Sequence, residues 1–240
     1  MSPRQNKPPR EDSVSRALTK AVPVLFRQND IIIFDKPAGV LVIPAPGDDK
    51  PCLTDIVNFQ HREEAGQSRL HPCHRLDRDT SGVIMYALGK KAQQRMMELF
   101  RRREIEKVYL AAVQGRLKRK KGKIEGFISQ PDRIKYSRFS KGKPAVSLYQ
   151  VITEFKDFSL LEVRPVTGRT NQIRIQFSEL GHPLVGDRKY SVARNFPVKF
   201  RRPALHAASL HWRDPVTKKA ITVHSTLPND MEVLCARNRT

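Results

Sequence analysis

The residues with most chemical capacity sit in one short loop, His74-Arg75-Leu76-Asp77-Arg78-Asp79-Thr80-Ser81-Gly82, where carboxylates and guanidinium groups alternate. Tyr109, Arg169 and Arg174 are the other candidates. An ionised aspartate is a nucleophile or a general base. Cations beside a carboxylate lower its pKa, so Asp77 in so basic a chain is expected to stay ionised. A tyrosine phenol can stack on a nucleobase and exchange a proton, and an arginine can lock a carboxylate with two parallel hydrogen bonds. Spacing alone does not bring these side chains together. The plainer reading of Asp77 is a loop cap that accepts from local amides.

These side chains must be held by the elements around them. The loop runs into Val83-Ile84-Met85-Tyr86-Ala87-Leu88, an apolar run of buried-strand length. Upstream, Val22–Phe26 and Ile31–Phe34 read as strands joined by Asn29-Asp30. Lys36-Pro37-Ala38-Gly39 ends the second strand, and Val40–Pro44 resumes an extended run. Thr54 is expected to cap a short helix through Phe59, with Asp55 in its first turn. Lys90–Glu104 is the clearest helix. Ala92, Met96, Leu99 and Phe100 form one stripe, and Arg101-Arg102-Arg103 crowd the C-terminal turn, where they could also meet phosphates.

Downstream, Lys107–Gly115 is a strand. Arg116–Lys123 is a basic turn, expected at the tip of a hairpin into Ile124–Ile128. Arg133–Lys143 is a second basic loop, with Tyr136 and Phe139 placed for base stacking among cations. Ala145–Phe155 and Leu160–Val166 pair as a hairpin. Thr170 is expected to cap a helix through Leu180, with Ile173, Phe177 and Leu180 on its apolar face and Gly181-His182-Pro183 as its stop. Strands Ala204–Trp212 and Ala220–His224 and a helix over Pro228–Asn238 close the chain. The fold class expected is α+β, a mainly antiparallel mixed sheet with packed helices. Residues 1–20 are expected to be a flexible basic arm and residues 21–240 one catalytic domain.

The chain has 240 residues, with 45 Lys+Arg against 24 Asp+Glu, a formal charge of +21. A balance this basic points to a polyanionic partner, nucleic acid first. Lys118, Arg119, Lys120 and Lys121 are then candidates for RNA-backbone contact. There is no apolar run of membrane-spanning length and no secretory h-region. Cys52, Cys73 and Cys235 are few and unclustered, which suits free thiols in a cytoplasmic protein. His71-Pro72-Cys73-His74 lacks a second Cys/His pair at ligand spacing, so no metal site is expected there. Dinucleotide-binding and Walker signatures are absent.

Arg75-Leu76-Asp77 followed by Thr80-Ser81-Gly82 resembles the signature of the RluA family of pseudouridine synthases, which turn uridine in RNA into its C-glycoside isomer. Four further segments resemble that family in the same order: Lys36-Pro37-Ala38-Gly39, Lys107-Val108-Tyr109-Leu110-Ala111, Gly142-Lys143-Pro144-Ala145, and Thr167–Arg174 continuing into Gly181–Asp187. Leu205-His206-Ala207 resembles the strand before the family's C-terminal segment. The resemblance runs from about Leu25 to Pro228 and implies the pseudouridine synthase fold with a central RNA-binding cleft. It implies that Asp77 is the catalytic aspartate, that Tyr109 stacks on the target uracil and takes the C5 proton, and that Arg174 pairs with the aspartate. Arg75 would fill the gap left by the extruded base. His74, Arg169 and Asn171 would contribute to RNA binding or positioning.

One position departs from the pattern. Asn171 stands where the family usually has histidine, and asparagine keeps a hydrogen-bonding group but cannot hold a proton near neutral pH. There is little room before Leu25 for the extra RNA-binding domain of larger relatives, so recognition is expected to lean on the catalytic domain and its basic loops. The expected substrate is a structured stem-loop of rRNA or tRNA, bound by a monomer with no cofactor or metal. The competing readings are a non-catalytic RNA-binding protein on the same fold and an RNA hydrolase that uses Asp77. The first is disfavoured by Asp77, Tyr109 and Arg174 occurring together. The second would need a metal cluster or a base partner that the sequence does not offer.

Overall fold

The computed structural model describes residues 21–66, 68–129, 142–191 and 197–238. The expected N-terminal arm and most of the second basic loop, with its Tyr136 and Phe139, lie outside them. The elements in chain order are β1 (Val24–Gln28), β2 (Ile31–Lys36), α1 (Leu53–Gln60), α2 (Arg62–Ala65), β3 (Leu70–Pro72), β4 (Ser81–Leu88) and α3 (Lys90–Arg102). Then follow β5 (Glu106–Gln114), β6 (Lys121–Ile128), β7 (Lys143–Glu154), β8 (Phe158–Pro165), α4 (Gln172–Glu179), β9 (Leu205–Arg213), β10 (Ala220–His224) and α5 (Asn229–Arg237). The fold is α+β, as expected.

The strands form one 10-stranded sheet in the order β1-β2-β4-β9-β5-β8-β7-β6, with β3 beside β4 and β10 beside β9. Its pairings are antiparallel except at β4–β9, which touch in parallel at Ser81–His206 and Gly82–Ala207. Two antiparallel halves therefore meet where the charged loop enters β4. Only glycine fits this seam. Gly82 has φ +107°, and a Cβ there would stand 2.1 Å from the Ala207 carbonyl oxygen.

Side-chain alternation feeds both faces of the sheet. Ile32 and Phe34 of β2 and Ile84 and Tyr86 of β4 pack with Leu53, Ile56 and Val57 of α1. Ile31, Ile33, Val83 and Met85 point the other way, onto Ala92, Met96 and Leu99 of α3. A strand covered on both faces reads as an unbroken apolar run, as β4 does. Ile173 and Phe177 of α4 cover β5 and β8 through Ala111, Val113, Leu161 and Val163.

Five local expectations fail. Val40–Pro44 forms no strand, because its carbonyls close the start of α1: Leu53 N donates to Leu41 O at 2.7 Å and Thr54 N to Val42 O at 3.2 Å. The cap of α1 is Cys52, whose N–H donates to Asp55 Oδ2 at 3.1 Å. Thr54 instead donates its hydroxyl to Val42 O at 2.6 Å. The basic turn before β6 is not a hairpin tip, since both sides of β5 are taken by β8 and β9, and β6 pairs with β7 at the far edge. The residue that caps α4 is Asn171 in the left-handed region, φ 55°, not Thr170. That helix ends at Glu179, and Leu180 is left 46% exposed.

Candidate active site

The charged loop is fastened by its own backbone carbonyls. Thr80 N donates to Asp77 O at 3.1 Å and closes a turn. Lys36 is buried at the end of β2, and its ammonium donates to Pro37 O at 2.9 Å, Arg78 O at 2.8 Å and Thr80 O at 2.9 Å. Arg202 donates to Asp79 O at 3.1 Å while its guanidinium forks onto Asp230 at 2.7 and 2.9 Å. Every carbonyl from Asp77 to Thr80 thus has a donor. Burial works against the Lys36 charge and brings its pKa down to about 7, against the opposing pull of Asp79 and Asp77. Arg78 is occupied at the surface by Asp48.

With the backbone satisfied, the Asp77 carboxylate takes no local amide among the described residues, which disposes of the loop-cap reading. It opens into a cleft of 780 Å³ at the seam of the sheet, bounded by this loop, the end of α3, the start of β5, the end of β8 and the turn into α4. Leu76, Tyr109, Ile173 and Leu205 supply apolar wall, and Arg75, Arg101, Arg103, Lys107, Arg164 and Arg169 put cations around it. Asp77, Tyr109 and the start of α4, expected from sequence to be partners, do share this space.

The arginine lock is placed differently from the expectation. Arg174 forks onto Asp187, with Nε to Oδ2 at 2.7 Å and Nη2 to Oδ1 at 3.0 Å. Its remaining nitrogen, Nη1, donates to Asn171 Oδ1 at 2.9 Å and stands 3.8 Å from Asp77 Oδ2. Asn171 passes its amide to the Tyr190 hydroxyl at 2.9 Å, and the Tyr190 ring lies 5.0 Å from the guanidinium carbon. Asp187 Oδ1 also accepts from the N–H groups of Lys189 and Tyr190 at 3.1 and 3.2 Å. Arg174 therefore meets Asp77 as a charge at close range, and the bidentate bond belongs to Asp187. Asp187 and Tyr190 carried no role in the sequence reading. The available signal was an acid at the end of the Gly181–Asp187 run.

Electrostatics reverse the expected direction of the Asp77 shift. Burial pushes its carboxyl above the usual carboxylate range, although Arg174, Arg75 and Lys36 pull it down, and Asp187 adds to the push. The same burial, with the charge of Asp77, holds the Tyr109 phenol strongly protonated. His74 is turned into the fold. Its Nε2 accepts from Met85 N at 3.0 Å, its ring lies 4.6 Å from Phe100, and burial together with Lys107 takes its pKa down to about 3. It is a neutral acceptor that fastens the loop to β4.

Arg75 is exposed at the rim. Arg169 donates to Pro144 O at 3.1 Å, and its N–H donates to Gln172 Oε1 at 3.0 Å. Gln172, also without a role in the sequence reading, is buried and ties the turn to β7 by donating to Val146 O at 3.0 Å and Ser147 Oγ at 2.9 Å. Lys118, Arg119, Lys120 and Lys121 are exposed but lie at the β6 edge, outside the cleft wall, with Lys120 paired to Glu154. Among the described residues no group of His, Cys, Asp or Glu could hold a metal ion, and no helix is long and apolar enough to cross a membrane.

A family model described as RNA pseudouridylate synthase matches residues 30–179, which include the Asp77 loop, Tyr109 and Arg174. The chain belongs to this family. It is 33% identical over 229 residues to "Ribosomal large subunit pseudouridine synthase D" of Xanthomonas campestris, covering 90% of this chain and 69% of the relative. It is 31% identical over 221 residues to the protein of the same name from Vibrio vulnificus, covering 87% of this chain and 68% of the relative. A solved structure of human RNA pseudouridylate synthase domain containing 4 has the same fold, with TM-score 0.74 and 24% identity over 94% of this chain and 96% of that one. The protein is thus a pseudouridine synthase of RluA type, an isomerase that acts on RNA.

Proposed function

We propose that this synthase isomerises one uridine of a structured RNA with Asp77 as the catalytic carboxylate, and that large-subunit ribosomal RNA is the first substrate to test. The observation that carries this is that Asp77 and Tyr109 line one cation-rimmed cleft, with the Arg174 Nη1 3.8 Å from the Asp77 carboxylate. A paired uridine hides its glycosidic bond, so the base must leave the stack at a cost of a few kcal/mol. Arg75, exposed at the rim, stacks into the gap and offsets that cost. The freed uracil enters against Tyr109, whose phenol face holds it while it turns.

The N1–C1′ bond then breaks, C1′ bonds to C5, C5 loses its proton to solvent and N1 takes one up, so the reaction is an isomerisation with no net consumption. Asp77 serves C1′ or a sugar proton as a carboxylate, and Arg174 Nη1 at 3.8 Å favours that charged form. Tyr109, held as the neutral phenol, serves the C5 proton as a relay, its oxygen accepting that proton as its own hydroxyl proton leaves. Arg169 and Asn171 hold the turn and the guanidinium in place. Residues 21–240 act as the catalytic domain in this reading. The two ribosomal names among the relatives support rRNA, and tRNA is the alternative outcome of the same assay.

The test is pseudouridine mapping of rRNA and tRNA from cells with and without the gene, with tritium release from [5-³H]uridine RNA for wild type and Asp77→Asn. The expected result is one mapped uridine lost with the gene, and an Asn variant that binds RNA without releasing tritium. Near wild-type release by Asp77→Asn would remove Asp77 from the chemistry.

A further inference from the structure

Around the end of α3 and the start of β5, several cations are matched to acids. Glu98 takes both Arg101 and Arg102 at the end of α3. Glu106, the acid beside Lys107 in sequence, is taken by Arg164 at 2.8 Å, and Arg164 also holds Glu162 at 2.8 Å. Arg103 and Lys107, adjoining these pairs, make no ion pair with a carboxylate among the described residues, and both line the cleft, as do Arg75 and Arg169.

Their placement is built. Arg103 closes α3 in the left-handed conformation, φ 63°, and its N–H caps the Leu99 and Phe100 carbonyls, so its side chain departs from a fixed point at the cleft wall. Lys107 is half-buried on β5, two residues before Tyr109. Gly168, in the turn before α4, lies beside the ammonium: a Cβ there would stand 3.5 Å from Lys107 Nζ, an ordinary contact. Burial and then the Arg103 charge lower the Lys107 pKa, so the free protein holds two cations that disfavour each other. Arranging like charges in a cleft costs stability unless an anion arrives.

We propose that Arg103 and Lys107 form a subsite for an RNA phosphodiester that flanks the extruded uridine. The inference rests on the cleft being the uridine site. A phosphate there would neutralise both cations and fix the strand on the side of the base that leads to Tyr109. Of the arginine triplet at the end of α3, Arg101 and Arg103 line the cleft, and Arg103 is the one that Glu98 does not engage.

The experiment measures binding of a labelled uridine-containing stem-loop RNA to full-length protein across a salt series, for wild type, Arg103→Gln, Lys107→Gln, the double variant and Arg102→Gln. Each lost phosphate contact lowers the slope of log K against log salt by about 0.7–0.9. The expected result is one such decrement for each single variant, about two for the double, and none for Arg102→Gln. Melting of the free proteins separates this from damage to the fold. Removing one of two opposed cations should leave the melting temperature unchanged or raise it, whereas a structural role would lower it. Lys107→Arg should restore the slope. Unchanged slopes in both single variants would overturn the subsite, as would a slope loss equal in Arg102→Gln. If wild type forms no pseudouridine in any RNA while these slopes fall as stated, the catalytic reading fails and the phosphate site stands.

Discussion

Replacing Asp187 with asparagine tests how Arg174 is held. The Asp187 side chain is fully buried and Arg174 is 12% exposed, so the pair sits in low dielectric. Removing one partner of a buried pair costs about 3–5 kcal/mol, because the other charge is left without compensation. The variant also weakens the acceptor for the N–H groups of Lys189 and Tyr190. For a domain of this size about 2–4 °C of melting temperature is lost per kcal/mol, so a drop of roughly 6–20 °C is expected. The functional effect follows from geometry. Without Asp187, the nearest carboxylate to Arg174 is Asp77 at 3.8 Å, and the guanidinium should close onto it and mask the carboxylate. Single-turnover isomerisation should therefore fall at a temperature where the variant is still folded, while RNA binding persists. Scanning fluorimetry gives the first quantity and rapid-quench tritium release the second. A shift of only about 1–2 °C together with a near wild-type rate would refute the assignment of Asp187 as the holder of Arg174.

Asp77 has a raised carboxyl pKa, so the acid limb of the pH–rate profile should lie above the ordinary value of about 3.9, and Arg75→Gln, which removes a cation that lowers it, should move the limb higher still; a limb that stays put in Arg75→Gln would contradict this. The same shift has a stability sign. A folded-state pKa above the unfolded one means that ionised Asp77 destabilises the fold once pH rises through the folded value, so Asp77→Asn should be more stable than wild type at pH 7, and the gain should vanish below the unfolded carboxylate pKa in denaturant titrations. Tyr109→Phe keeps the ring and loses the hydroxyl, so RNA binding should hold while turnover stalls; full turnover would end the proton role given to Tyr109. Gly82→Ala places a methyl 2.1 Å from Ala207 O at φ +107°, and strain with overpacking should cost at least about 2 kcal/mol in urea unfolding; an unmoved midpoint would show that the β4–β9 seam can open.

Much of this protein is legible in one dimension because the determinants are local. The unbroken apolar run of β4 reports a strand covered on both faces, and the stripe Ala92, Met96, Leu99 reports a helix with one buried side. The hairpin of β7 and β8 follows from two alternating runs and a turn. The order of the family-like segments carries the enzyme class, and the motif positions single out Asp77, Tyr109 and Arg174 as candidates. Tertiary structure decided the rest. It placed β6 at the far edge of the sheet, and with it Lys118–Lys121, because pairing with β7 is a long-range choice that no local signal carries. It gave the Arg174 fork to Asp187 and left Asp77 as a neighbour at 3.8 Å. It also reversed the sign of the Asp77 shift. A charge count of +21 predicts a low carboxylate pKa, but the count says nothing of solvent. Once the loop carbonyls are bonded and the carboxylate faces an apolar-walled cleft, lost hydration outweighs the nearby cations. Sequence lists which charges the chain carries; only folding sets their distances and how much water they keep, and those two quantities decide the energy.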